Sequence, residues 1–523
     1  MRSVGTVLVL VVLATVVATF ARRWRMPAPS LLVVAGLAVA LLPGTPRIGI
    51  SPDVIGLVVL PPLLYASAEE ISWRELRLVW RPVAVLAVGL VLASAAAVGA
   101  VASLVTPLPW QSALVLGAIL ASTDPVAVTA LGRRLALPPR AKALVQAESL
   151  FNDATSLVLF KVAVGVAVAS GTVHWQGAGG EFALLAGGGT LVGAVLAGLV
   201  ALIRRRTEDP VLETVITLVT PYAAYVLAEA AGTSGVTSVV VAGVVLGGQG
   251  DKLTDARIRL HLHAVSGTVV FLLESVVFSL IGLALPAQVQ ALTAADRAWP
   301  LYTCAIAATL VGVRLLWLAP LSVLMQRRGG AGRVGWRVPV VLTWAGTRGV
   351  VPLAAALSLP ATAADGTALT ERPLVLVLTT SVVVLTLVVQ GFTLAPVVRR
   401  SGVALEPDHT EREEAAARHE LAGAGLRRLE ELVEGEAVPE EVLDRLHGSL
   451  SARLASAHDR LREAGGESAR ESADGVYRQL RRDLITAEAD ELQRLYDDHR
   501  ISDTTRRKLQ RSLDLEETRL AGP

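Results

Sequence analysis

The chain has 523 residues, of which 53% are hydrophobic, with a formal net charge of only +2 and a mean hydropathy of +0.55. The last fifth is strongly polar, so the first four-fifths are more apolar still, which excludes an ordinary soluble domain and points to a polytopic membrane protein. The one cysteine, Cys304, leaves no disulfide framework and no Cys/His metal spacing.

A bilayer is crossed by about 17 to 25 apolar residues. Thirteen stretches qualify, near 3–20, 29–43, 52–68, 82–105, 111–131, 143–169, 182–203, 211–230, 235–249, 265–285, 299–325, 338–360 and 373–398, the second and ninth being short. Met1 to Phe20 has the basic start and apolar run of a signal peptide. It lacks a small-x-small cleavage site, and Arg22, Arg23 and Arg25 follow it as a cytoplasmic anchor would, so a retained first span is expected. Every other connection is basic. These hold 22 Lys and Arg, against only Arg2, Arg47, Arg297 and Arg372 on the opposite side, so the N-terminus is expected outside and the C-terminal tail in the cytoplasm. Topology accounts for the basic loops without nucleic acid. His261 and His263, in one of them, read as a solvated interfacial pair rather than a metal site.

Two apolar spans carry acids and a helix breaker. In the fifth, Thr123-Asp124-Pro125 interrupts the helix, because proline has no amide for the carbonyl four residues earlier. The freed backbone groups must face protein or a watery cavity, and the carbonyls and the Thr123 hydroxyl are natural cation ligands. Asp124 is placed to offset the positive end of a half-helix. In the sixth, Glu148-Ser149-Leu150-Phe151-Asn152-Asp153 sets Ser149 and Asp153 four residues apart, within about 40° of one helix face. Glu148 and Asn152 share the neighbouring face. Ionisable groups at this depth mark an ion or proton path. Asp153 is therefore the expected exchange site, and Glu148 is better explained as half of a buried ion pair.

Further along, Lys161 is expected to snorkel outward, and Gly189, Gly193 and Ala197 form a small-residue stripe for packing within the chain. Glu274 is a further intramembrane acid. The twelfth span contains Trp344-Ala345-Gly346-Thr347-Arg348-Gly349 with Pro352 one turn later, a second interrupted helix of the sort found in inverted-repeat transporters. Its Arg348 is the preferred partner of Glu148, with intramembrane Arg314 as the alternative. The expected fold is all-α, with about 13 transmembrane helices, inverted repeats and two discontinuous crossing helices in residues 1–400.

Residues 401–523 are different material, with 28 Asp and Glu against 19 Lys and Arg. Heptad-like Leu and Ala positions, as at Leu421, Leu426, Leu429 and Leu432, suggest amphipathic helices, broken near Gly435, Pro439 and Gly465-Gly466. A charged helical cytoplasmic tail is expected.

An empty Asp153 is negative, and a proton or a monovalent cation neutralises it, so the two compete for one group. This reads as exchange of protons for small cations. An aspartyl dyad of Asp124 and Asp153 would instead suggest an intramembrane enzyme, but the flanking protease context is missing. A channel would need a filter of carbonyl or side-chain rings, and no such repeat is present.

At these residues the chain resembles the monovalent cation/proton antiporters of the sodium/proton exchanger family, in their bacterial branch. The matching stretches are Pro61-Pro62-Leu63-Leu64-Tyr65, Ala121 to Val128, Glu148 to Asp153, Trp344 to Val351, and Gln390 to Leu394, and the likeness spans roughly residues 3 to 400. The resemblance implies a homodimer in the cell membrane whose mobile core carries Na+, or K+ or Li+, against H+ by alternating access, with no cofactor. It implies that Asp153 takes the cation and proton beside Thr123 and Ser149, that Asn152 supports the site, that Asp124 sits at the helix crossover, and that Glu148 pairs with Arg348. Some relatives have an acid shortly after the Pro-Pro-Leu-Leu stretch, where this chain has Ala66.

Overall fold

The structure is a computed structural model that describes residues 2–24, 26–42, 54–71, 73–124, 139–168, 175–207, 209–249, 256–293, 296–328, 337–360, 369–402, 407–435, 439–463 and 473–498, with isolated positions beyond these. They fall into two units, Met1–Ala404 and Leu405–Pro523.

The first unit is helical throughout, with no β-strand among the described residues. It begins with α1 (Arg2–Trp24), α2 (Ala28–Ala40) and α3 (Leu60–Glu69). Next come α4 (Trp73–Ala84) and α5 (Val91–Val105), joined by a wide π-helical stretch at Val85–Leu90. That widening follows Pro82, whose missing amide breaks the regular ladder. Then follow α6 (Trp110–Leu120), α7 (Pro139–Val168), α8 (Trp175–Arg204), α9 (Pro210–Ala230), α10 (Gly235–Gly247), α11 (Ala256–Gln290) and α12 (Trp299–Arg328). Two short helices, α13 (Arg337–Trp344) and α14 (Val350–Leu357), precede the long α15 (Arg372–Ser401).

Helix occupies part of each of the thirteen apolar stretches. Among the described residues, seven helices are long and apolar enough to cross a bilayer, and five shorter apolar helices accompany them. Their outward faces are oily: Leu191, Val195 and Leu199 of α8 and Val215 and Val219 of α9 are exposed. The inward faces form continuous apolar cores, and α15 is the most enclosed of the long spans.

Close helix approach depends on missing side chains. The α8 stripe lies against α10, where a Cβ on Gly189 would fall 2.6 Å from the Ser234 carbonyl oxygen and one on Gly193 would strike that of Ser238. The small residues of α8 are thus used within the chain.

In the second unit, α16 (Pro407–Gly435) packs along α17 (Glu440–Glu463), and α18 (Ala473–Asp497) follows. The helix ends agree with the expected breaks at Gly435 and Pro439, while Gly465-Gly466 lies outside the described residues. Of the four leucines expected on the apolar face, Leu429 is buried whereas Leu421 and Leu432 are exposed. The inner face is carried by Ala415, Ala422 and Leu429, seven residues apart, because alanines let two charged helices approach closely.

Candidate functional site

One helix ends and another is interrupted at the same place. Helix α6 stops at Leu120, and the chain runs without helix through Ser122 to Asp124. Helix α13 stops at Trp344, and α14 restarts at Val350. The two extended segments are tied together, the Asp124 amide donating to the Thr347 carbonyl at 2.8 Å and the Thr347 hydroxyl to the Asp124 carbonyl at 2.7 Å. Pro125 and the rest of the fifth stretch lie outside the described residues.

The charges at this crossing match the helix ends. Gly349 caps the start of α14, and a Cβ there would collide with the Asp124 carboxylate, so Asp124 lies directly over the positive end of that half-helix. The half-helix that Asp124 offsets is therefore α14, from the other broken span. Arg348, buried, donates from Nε to the Leu120 carbonyl at 2.8 Å and so caps the negative end of α6. Its Nη1 holds the Gly346 carbonyl at 2.9 Å, and its backbone amide donates to the Thr386 hydroxyl of α15 at 3.2 Å.

Helix α7 supplies the other wall. The Ser149 hydroxyl donates a short hydrogen bond to the Thr123 carbonyl. The Asn152 side chain donates to the Thr123 hydroxyl at 2.6 Å and accepts from the Thr123 amide at 3.3 Å. Ser156, one turn on, donates to the Ala118 carbonyl at 2.7 Å. Thr123, Ser149 and Asn152 are thus brought together, and the last two clamp the backbone of the break. Asp153 lies alongside, 8% exposed, bonded by Ser122 and under the charges of Asp124 and Arg348. Its Oδ1 is buried with no hydrogen-bond partner among the described residues. A buried carboxylate oxygen left so is costly and open to a proton or cation that satisfies it, as is Oε1 of Glu213 away from the crossing.

The expected pairing of Glu148 with Arg348 is not what forms. Glu148 is held by Arg314 of α12, Nη1 to Oε1 at 2.5 Å and Nη2 to Oε2 at 3.0 Å, with both side chains buried. The physical reason is competition: the Arg348 guanidinium is committed to the carbonyls at the broken helix ends, while Arg314 presents its planar fork to α7. Arg314 also donates from Nε to the Leu342 carbonyl at 3.1 Å, at the negative end of α13. Lys161 likewise does more than snorkel, forming a half-exposed ion pair with Glu229 of α9 at 2.8 Å.

Sequence reasoning assigned no role to Thr347 or Ser122, although both sit inside the two quoted breaks. It also missed a buried ion pair away from the crossing, Arg204 Nε to Glu213 Oε2 at 2.7 Å. Arg204 had counted only as a loop charge. Glu274 is half-buried in the middle of α11, where the charges of Asp124 and Glu70 act on it.

The family profile described as "Sodium/hydrogen exchanger, transmembrane" matches residues 9–400. An uncharacterised Na(+)/H(+) exchanger of Mycobacterium tuberculosis is 32% identical over 99% of this chain and 96% of its own. The Na(+)/H(+) antiporter ApNhaP of Aphanothece halophytica is 33% identical over 72% of this chain and 70% of its own. The solved structure of the sodium proton antiporter MjNhaP1 from Methanocaldococcus jannaschii superposes with a TM-score of 0.62 at 20% identity, covering 76% of this chain and 98% of that one, which supports the fold. The chain therefore belongs to the sodium/hydrogen exchanger family and is a multi-pass membrane transporter, not an enzyme.

Proposed function

We propose that the chain exchanges one alkali cation, Na+ in preference to K+ or Li+, for one proton, and that Asp153 is the group both occupy in turn. The observation that carries this reading is the buried Oδ1 of Asp153, which has no hydrogen-bond partner among the described residues, beside the crossing of two extended segments. A proton satisfies that oxygen by making it a donor, and a cation satisfies it by direct coordination, so binding of one displaces the other. The Thr123 carbonyl keeps a second lone pair beyond the one Ser149 uses, so Thr123 and Ser149 supply further oxygen ligands. Asn152 fixes Thr123, while Asp124 and Arg348 hold the helix ends, without themselves binding the ion. The preference for Na+ is supported by the name of the relative from Aphanothece halophytica.

Glu148 is cancelled by Arg314, and Asn152 stands where a second acid would add charge, so one cation traded for one proton moves no net charge. Alternating access of this core between the membrane faces couples the two fluxes. The protein works as a homodimer in the plasma membrane, with residues 401–523 in the cytoplasm, an orientation supported by the Lys and Arg bias of alternate connections.

The test is a vesicle assay in which an alkali cation is added to a preformed pH gradient. The native protein dissipates the gradient with Na+, and Asp153→Asn does not. Exchange retained by Asp153→Asn would move the site to another residue.

A further inference from the structure

The crossing relies on arginines that close the negative ends of short helices: Arg348 at the end of α6 and Arg314 at the end of α13. A third one stands far from the crossing. Arg372, the first residue of α15, donates from Nε to the Leu359 carbonyl at 3.0 Å and from Nη2 to the Leu357 carbonyl at 3.3 Å. These are carbonyls at and just past the end of α14, which has no following helical turn to satisfy them. The preceding ones are served locally: Ala354 by the Ser358 amide at 3.1 Å, Ala355 by the Ser358 hydroxyl at 2.8 Å and Ala356 by the Leu359 amide at 3.3 Å. Arg372 completes the set. An arginine at a membrane surface ordinarily extends to water or lipid headgroups. Here the half-buried guanidinium turns back onto the helix end and borders a cavity of about 30 Å³ lined by Ser112, Val164 and Leu359.

Helix α14 is therefore a rod held at both ends. Its eight residues are all buried and span about 12 Å. One end meets the Asp124 carboxylate and the Thr347 bridge, and the other is gripped by Arg372 on a different helix. Any axial slip of the rod would shift Thr347 and Arg348, and through them Asp124, Leu120 and the Thr123 backbone beside Asp153. We propose that Arg372 is a positioning residue for exchange, setting the axial position of α14 and with it the cation geometry at the distant crossing. The inference rests on the reading of Asp153 as the exchange group.

The test compares native protein, Arg372→Gln and Arg372→Lys in vesicles, with Na+ titrated at fixed pH and rates normalised to folded protein. Arg372→Gln is expected to raise the half-saturating Na+ concentration about fivefold, the scale of one ordinary net hydrogen bond. Arg372→Lys keeps the charge but not the fork, and is expected to recover part of that loss, leaving about a twofold rise. Native half-saturation in folded Arg372→Gln, or a fall in maximal rate alone, overturns the proposal. If Arg372→Gln yields no folded protein, native half-saturation in Arg372→Lys overturns it. Asp153→Asn runs alongside: exchange retained there defeats the exchange-site reading and this inference with it, whereas an inactive Asp153→Asn leaves the titrations to judge Arg372 alone.

Discussion

Arg314 holds Glu148 with both terminal nitrogens, at 2.5 and 3.0 Å, while its Nε donates to the Leu342 carbonyl at 3.1 Å. One guanidinium thus joins α7, which carries the proposed exchange site, to the end of half-helix α13. Removing the carboxylate leaves a buried, unpaired cation, which costs roughly 3 to 5 kcal/mol. Glu148→Gln is therefore expected to lower folded yield and the thermal midpoint in detergent more than Ser149→Ala. Combined with Arg314→Gln, its effect should be strongly non-additive, and less so combined with Arg348→Gln, on which Glu148 acts through its charge alone. Coupling of Glu148 to Arg348 instead of Arg314 in that cycle would contradict the pairing seen here.

At the crossing, Gly349 is required by close approach. A Cβ at this position would meet the Asp124 carboxylate, and Asp124 cannot withdraw because its amide and carbonyl are both bonded to Thr347. Gly349→Ala is expected to destabilise by at least the roughly 1 to 3 kcal/mol of an overpacked core and to cut exchange severely. Gly267→Ala is the control, since a Cβ at Gly267 in the middle of α11 has no neighbour within 4 Å. Equal thermal midpoints and equal rates for the two variants would show that the carboxylate does not occupy the helix end.

The sequence disclosed elements better than partners. Runs of apolar length placed the helices, because that signal is local and acts through the bilayer. The interruption before α14 was visible as glycine set beside an ionisable group in an apolar run. The four-residue spacing put Ser149 and Asp153 on the face of α7 that meets Ser122 and Thr123. What stayed hidden was which helix stands opposite which. Arg348 lies in a rich motif and Arg314 in a plain apolar run, so motif context favoured the wrong cation for Glu148. The same limit concealed Lys161 with Glu229 and Arg204 with Glu213, whose partners lie on neighbouring helices and leave no mark in hydropathy.

Asn152 offers a direct test of the charge count. Its side chain donates to the Thr123 hydroxyl and accepts from the Thr123 amide, so it positions the break while remaining neutral. Asn152→Asp keeps the acceptor for the Thr123 amide and leaves the Thr123 hydroxyl free to turn and donate to the new carboxylate, so the backbone clamp has a way to persist. The change adds a negative charge next to Asp153. If native exchange trades one cation for one proton, native vesicles should show no exchange current and a rate indifferent to membrane voltage. The variant has a second acid able to take a proton or cation during the cycle, and its exchange is expected to become voltage-dependent. The measurement is the current across a vesicle membrane under a Na+ gradient, with valinomycin and K+ setting the voltage. A native current of the same size as that of Asn152→Asp would mean that charge already moves in the native cycle, with Glu274 the next acid to neutralise.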